Sequence, residues 1–463
     1  MNVKKLQRTI NHLKNIVNEG NIYSDSEALY CYSYDASYPQ ARPEIIVRPH
    51  SSGEVSKIVK IASKERIPIV PRGAGTNVSG GVLPVKGGII IDLTGMNQIL
   101  ELNKRDLSVK VEPGVVVTDL QEELKRKGLF WPPDPASADA CTIGGALAMN
   151  AGGMRGVKYG TTREWVLGLE VVLPDGRIIK TGSNTLKCSS GFDLTRLFVR
   201  SEGMLGIITQ ANLKIRPLPE SVTRLIATFN KLERAGEAVG KIFEAGIIPL
   251  IIELLDKTTL KAVNQFKKLG LPEKAALLII DVDGTVEECN KLSGKIENLL
   301  QEIGAEGIKR ATTSQEMEDL MSARKAAYSA LCRIKTTTIM EDIAVPVSLL
   351  PNALKKVEEV SKKHRIIVGT FGHAGDGNVH PVICTDERDK EEWKRAMNCI
   401  NDIRSAALEL GGTVSGEHGI GITKAPFLKK EHGEDAVEIM KRIKSAIDPS
   451  NIINPGKMFV EAS

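Results

Sequence analysis

Between Phe130 and Gly160 the chain reads FWPPDPASADACTIGGALAMNAGGMRGVKYG, and few folds accommodate such a stretch. Glycine and proline are too frequent for a long helix or a regular strand. A disordered linker would carry charge runs and few apolar residues. This stretch lacks charge runs and contains Ile143, Leu147 and Met149. Small residues in an apolar setting allow a backbone to approach something closely. The segment is therefore expected to be ordered and to line a ligand.

Its surroundings alternate strand and helix. After an N-terminal amphipathic helix and a tyrosine-rich patch (Tyr30, Tyr32, Tyr34, Tyr38), EIIVRP predicts a strand. Ser52 is expected to cap a helix over 54–65, with Val55, Ile58, Val59 and Ala62 at helical spacing. IPIVP predicts the next strand and runs straight into RGAGTNVSGG, residues 72–81. A strand followed by such a loop can aim backbone N–H groups at a phosphate, although a plain turn has the same composition. The spacing is not G-x-G-x-x-G, and no Gly-Lys-Ser/Thr follows. LGLEVVLPDGRIIKTG predicts a hairpin turning at Pro174, Asp175 and Gly176. A proline-marked boundary near 219 closes this half. Beyond Ser221 amphipathic helices alternate with apolar strands such as AALLIIDV, and DPSNIINPGK is expected to return to the first half.

Two segments of the second half carry candidate chemistry. FGHAGDGNVHP, residues 371–381, predicts strand, tight loop, strand, with His373 and His380 bracketing the turn. SGEHG, residues 415–419, adds Glu417 and His418. Of seven histidines, three fall in these two glycine-rich segments, which favours a metal or catalytic site over ordinary loop histidines. Two His and one carboxylate suit a divalent transition metal that keeps positions open for substrate. Arg324, in MSARKAAYSAL, reads from its neighbours as a solvated helical arginine; the other reading is a clamp for a substrate carboxylate. DVDGT, at Asp281, matches a phosphatase nucleophile motif with Asp283 as general acid. A core strand ending at an Asp-Gly turn is the better reading. The strand sits inside a longer pattern, and no downstream lysine and acidic pair follows.

Electrons, if any leave this chain, need an external acceptor. The seven cysteines are dispersed, with no CxxC spacing, which argues against an internal iron–sulfur cluster or a disulfide framework. Net charge is +5 with interspersed signs, so no nucleic-acid footprint exists. No apolar run reaches membrane-spanning length, and the N-terminus lacks a signal-peptide core, so a cytoplasmic protein is expected.

PRGAGTNVSGG, PPDPAS, TIGGALAMNAGG, KYGTTREWVLGLEVVLPDG and EGMLGIIT together resemble the FAD-binding domain of the vanillyl-alcohol-oxidase and para-cresol-methylhydroxylase (PCMH) superfamily. GHAGDGNVH, SGEHGIG and INPGK resemble the C-terminal half of its D-lactate dehydrogenase and glycolate oxidase GlcD-subunit group, to which D-2-hydroxyglutarate dehydrogenase also belongs. The resemblance implies an α+β fold: a PCMH-type, two-subdomain FAD-binding domain over 41–219, then an α/β substrate (cap) domain with an antiparallel sheet over 220–425. Residues 1–40 would be a helical segment, and 426–463 would return to the FAD domain.

It further implies noncovalent FAD, since IVPRGAG offers no histidine for attachment. Pro71, Arg72, Gly73, Ala74, Gly75, Thr76, Asn77, Gly80 and Gly81 would cradle the pyrophosphate. Pro133, Asp134, Ser137, Gly144, Gly145, Asn150, Gly152, Gly153, Tyr159 and Gly160 would line the flavin. Gly203, Gly206, Ile207 and Ile208 would meet the adenine and ribose end, with Asn454 also at the cofactor. His373, His380 and Glu417 would hold one divalent ion (Zn, Mn or Fe), His418 would be the base, and Arg324 would bind the substrate carboxylate.

The reaction implied is oxidation of a small D-2-hydroxy acid, D-lactate or glycolate, to the 2-oxo acid, with hydride passing to flavin N5. A lysine that assists the 2-hydroxyglutarate enzyme falls near Met340, which argues for a small substrate; Lys335 is off register. Electrons would go to an electron-transferring flavoprotein or a separate iron–sulfur subunit. The rival expectations are a flavin-free metal hydrolase or phosphatase, and within the class a D-2-hydroxyglutarate dehydrogenase.

Overall fold

The structure, a computed structural model, describes residues 2–311 and 313–459. The chain divides into two compact units, one made of 1–152, 161–218 and 417–463 and the other of 153–160 and 219–416. These limits differ from the expected ranges in two places. Residues 417–425 belong to the first unit, and the short piece 153–160 belongs to the second.

The first unit holds two main sheets. One is four-stranded, in the order Ile22–Tyr23, Ile45–Val47, Ile89–Asp92, Ile69–Arg72, with the last three strands parallel. Helices Val3–Lys14 and Ser52–Glu65 cover it, and Leu13, Val55, Ile58, Val59 and Ala62 are buried against its isoleucines. The Ser52–Glu65 helix is capped by Ser51, whose Oγ accepts from the Glu54 N–H at 3.2 Å, and not by Ser52. Ser51 has the extended backbone a cap needs, while Ser52 Oγ donates to Glu170 at 2.5 Å. The other sheet has five antiparallel strands, in the order Ile99–Asn103, Ser108–Val111, Ile207–Lys214, Val166–Val172, Ile178–Gly182. Its last pair is the expected hairpin, with Gly176 at φ +80° in the turn.

Of the four tyrosines in the N-terminal patch, Tyr32 is tied in. Its Oη donates to Asp92 at 2.6 Å, beside the Arg48 guanidinium, while Tyr30, Tyr34 and Tyr38 are exposed. The C-terminal segment extends the parallel sheet: Ile69 N–H donates to the Ile452 carbonyl at 2.7 Å and Asn454 N–H to the Ile69 carbonyl at 2.6 Å.

The second unit is one antiparallel sheet, with helices on both faces. Its path runs Lys309–Arg310, Ser221–Phe229, Ala276–Gly284, Ile251–Asp256, Ile367–His373, Asn378–Thr385, Thr337–Met340, and Ile343–Ala344 also pairs with Asn378–Thr385. Helices Leu232–Glu244, Val286–Glu302, Leu350–His364 and Lys390–Glu409 bury one face. Helices Lys257–Lys267 and Ser314–Leu331 bury part of the other.

Candidate functional site

In the first unit the Ile69–Arg72 strand delivers the glycine loop. The N–H groups of Gly73, Ala74, Gly75 and Thr76 make no hydrogen bond to any described residue. Beside them Arg72 is buried, its guanidinium 5.2 Å from the Tyr32 ring centroid and its Nη1 without a hydrogen-bond partner among the described residues. Burial lowers the Arg72 pKa, with Asp35 opposing. Consecutive open N–H groups beside an underused buried cation suit an anion such as a pyrophosphate. The glycines are required by close approach. A Cβ at Gly73 would lie 2.3 Å from Thr142 Oγ1, and one at Gly75 (φ +74°) 2.1 Å from Arg72 Nη2. Gly144, Gly203 and Gly206 are similarly confined, by Pro113, Pro71 and Val171.

Other expected cofactor residues have structural work as well. Asn150, at φ +57°, ends the Ile143–Met149 helix, and its Oδ1 accepts from Thr161 and Arg163. Asn454 Nδ2 donates to the Gly81 and Glu202 carbonyls at 2.9 and 2.8 Å, while its buried Oδ1 has no hydrogen-bond partner among the described residues. The run from Pro133 to Ser137 leads into a turn closed by the Cys141 N–H on the Ser137 carbonyl at 2.8 Å. Gly153, Tyr159 and Gly160 fall in the second unit. There Tyr159 Oη donates to Asp283 at 3.2 Å, and Val157 packs where a Cβ on Gly375 would sit.

The loop carrying Glu417 and His418 is held within the first unit by that same glycine loop. Asn77 Nδ2 and Ser79 Oγ donate to the His418 carbonyl at 3.2 and 3.1 Å. Glu417 Oε2 accepts from the Gly152 N–H at 3.1 Å. Glu202 is a buried residue for which the sequence analysis predicts no role of its own. It accepts from the Ile420 and Gly421 N–H groups at 2.6 and 2.8 Å, and burial raises its pKa against those bonds.

The second unit collects a different set of groups on one sheet face. In the hairpin Ile367–His373 and Asn378–Thr385, Phe371 lies opposite His380 and His373 opposite Asn378. Cross-strand partners share a face, so Phe371, His373 and His380 project together. Both imidazoles are buried, their centroids are 5.2 Å apart at 87°, and a nitrogen of one lies within 4.8 Å of a nitrogen of the other. That bound is close to the roughly 4 Å that two metal–nitrogen bonds of about 2.0–2.1 Å can span across one ion. Glu253, opposite His373 on the next strand, meets His373 Nδ1 at 2.7 Å. Its second oxygen accepts from Arg324 Nε. Asp342 faces His380 Nδ1 at 3.7 Å and is fixed by Asn378 Nδ2 at 2.7 Å and Ser415 Oγ at 3.1 Å.

Arg324 is 5% exposed, not a solvated helical residue. Its guanidinium stacks 4.6 Å from the Phe371 ring centroid, and its terminal nitrogens have no hydrogen-bond partner among the described residues. Asp281 is the opposite case. Arg224 grips both its oxygens, Nε to Oδ1 at 2.6 Å and Nη2 to Oδ2 at 2.5 Å, on a strand flanked on both sides. It is a core ion pair, and Asp283 is engaged by Lys158 and Tyr159. Neither carboxylate is poised as a nucleophile.

A family model described as FAD linked oxidases, C-terminal domain, matches residues 218–458, and one described as FAD binding domain matches 43–182. The chain belongs to the FAD-linked oxidases. It is 45% identical to a glycolate oxidase subunit GlcD of Bacillus subtilis, with 95% of this chain and 94% of that protein covered. It is 37% identical to a D-lactate dehydrogenase of Anaerostipes hadrus, with 91% of each covered. Among solved structures, p-cresol methylhydroxylase shares the fold with TM-score 0.84 at 18% identity, covering 100% of this chain and 98% of that one. This FAD-linked oxidase is thus an oxidoreductase of PCMH-type fold, and the open N–H groups and confined glycines of its first unit fit FAD. The flavin-free reading falls with this membership. No helix among the described residues is long and apolar enough to cross a membrane.

Proposed function

We propose that this FAD-linked oxidase oxidises a small D-2-hydroxy acid, D-lactate or glycolate, to the 2-oxo acid. The observation that carries this is Arg324. A buried guanidinium on a helix is held at Nε by Glu253, has no hydrogen-bond partner at its terminal nitrogens among the described residues, and packs over Phe371 on the sheet face that carries two buried imidazoles. That is the donor set a carboxylate next to a hydroxyl requires. The relatives named for glycolate oxidation and D-lactate dehydrogenation support the same substrate class.

In this reading Arg324 pairs the substrate carboxylate and fixes the Cα–H for transfer. His373, His380 and Glu417 hold one divalent cation, Zn, Mn or Fe. Such a cation supplies Lewis acidity that lowers the pKa of the substrate hydroxyl, and noncovalent FAD supplies the hydride acceptor. The His418 imidazole takes the hydroxyl proton, its backbone steadied by Asn77 and Ser79. Glu417 follows Ser415 by two residues, and Ser415 is bonded to Asp342 beside His380.

A small substrate is favoured over a dicarboxylate. Met340 pairs with Val382, two residues beyond His380 and therefore on the same face, and offers no charge for a second carboxylate. Lys335 is bonded to Glu392 at 3.2 Å. Reduced flavin would pass its electrons to a soluble protein acceptor, an electron-transferring flavoprotein or an iron–sulfur subunit.

The test is anaerobic mixing of the flavin-loaded protein with D-lactate, L-lactate, glycolate and D-2-hydroxyglutarate. D-lactate or glycolate bleaches the flavin, and bleaching by none of the four overturns the proposal. His418→Ala keeps the flavin spectrum and slows reduction by about 10²–10⁴-fold, the usual share of general-base catalysis. Near-normal reduction in that variant would remove His418 as the base.

A further inference from the structure

We infer that Glu253 is a positioning residue that aligns the proposed metal ligand His373 and the proposed substrate clamp Arg324 through a single carboxylate. The inference rests on the metal-site reading above and extends it to a residue that the sequence did not single out. Glu253 is wholly buried, in the middle of an antiparallel strand and in register with His373. Each oxygen has one partner: Oε1 meets His373 Nδ1 at 2.7 Å, and Oε2 accepts from Arg324 Nε.

A carboxylate oxygen accepts from an imidazole N–H, so the contact favours the tautomer with its proton on Nδ1. Nε2 then keeps its lone pair, and the ring plane is fixed by a partner on a rigid strand. Such a carboxylate–histidine contact sets both tautomer and orientation for metal binding. The other oxygen spends the Arg324 Nε donor, which directs the guanidinium's remaining edge away from Glu253. The Phe371 ring, opposite His380 on the same face, supports the flat of the guanidinium at 4.6 Å. A purely structural Glu253–Arg324 ion pair would need only one of these contacts. Using both oxygens ties the orientation of the imidazole to that of the clamp.

The test uses Glu253→Gln in the flavin-loaded protein. Zn²⁺ affinity is read by competition with a chromogenic chelator, with flavin content and thermal unfolding as fold controls. The expected result is metal binding weakened about 10–100-fold, the range for lost outer partners of a ligating histidine, at unchanged flavin content. KM for the hydroxy acid rises with it, because Arg324 loses its alignment. Flavin-loaded Glu253→Gln that binds Zn²⁺ within about twofold of wild type overturns the inference and leaves the metal site standing. Wild-type protein that binds no Zn²⁺ overturns the metal reading and this inference together. Should Glu253→Gln lose its flavin through the unpaired Arg324 charge, Glu253→Gln/Arg324→Met buries no lone ion and carries the same Zn²⁺ measurement with the same criterion.

Discussion

A guanidinium at 5% exposure needs an anion, and Arg324 has only half of one. Glu253 takes its Nε, while the planar fork beyond is suited to a second carboxylate. Arg324→Lys keeps the charge and removes the fork. It is expected to hold flavin normally and to raise KM for the hydroxy acid about 10–100-fold, the loss of one charge-assisted hydrogen bond in a buried site. An unchanged KM in steady-state assays would show that Arg324 does not touch the substrate. Little of this was legible locally. In MSARKAAYSAL, Arg324 stands among small and polar residues, and its burial comes from the packing of Ala323, Ala327, Ala330 and Leu331 on the sheet. Glu253 lies 71 residues upstream in an apolar strand, where a lone acid has no periodic signature. His373 and His380 were legible because one hairpin brings them together, within seven residues of chain.

The hairpin depends on its turn, and the turn on Gly377. Its φ is +75°, and a Cβ there would lie 2.0 Å from the Val345 carbonyl oxygen. The left-handed conformation costs a side-chain-bearing residue about 1–2 kcal/mol, and the clash with a fixed backbone atom adds to it. Gly377→Ala is expected to lower stability by at least about 2 kcal/mol in urea unfolding and to weaken metal binding, because His373 and His380 sit on the two strands it joins. Gly411→Ala is the control. Gly411 has φ +69° but open space around its Cβ direction, so only the conformational cost of about 1–2 kcal/mol applies, without the clash. Equal losses in the two variants would show that the Val345 contact yields without cost. At this scale apolar runs and turn residues predict the strands well. Finer points such as Ser51 in place of Ser52 as a cap depend on which residue takes the extended backbone, and adjacent serines look alike in sequence.

Each of the two units buries its own core: the isoleucine-rich parallel sheet in one, and the two helix-covered faces of the antiparallel sheet in the other. The change of texture near 219 made their existence readable. The assignment of 153–160 to the second unit was not, because that piece continues a glycine-rich run without a break. Only packing separates it, through Val157 at Gly375 and Lys158 and Tyr159 on Asp283. The division has a chemical consequence. The open N–H groups that fit FAD belong to the first unit, and the paired imidazoles belong to the second. None of the proposed metal ligands is among those N–H groups, so removing the cation should leave the flavin in place. Dialysis against a strong chelator is expected to abolish hydroxy-acid turnover while the flavin absorption is retained, and added Zn²⁺ or Mn²⁺ restores turnover. Full turnover by metal-free, flavin-loaded protein would refute a metal role for His373 and His380. Loss of flavin in step with the metal would instead mean that the two sites are not separable.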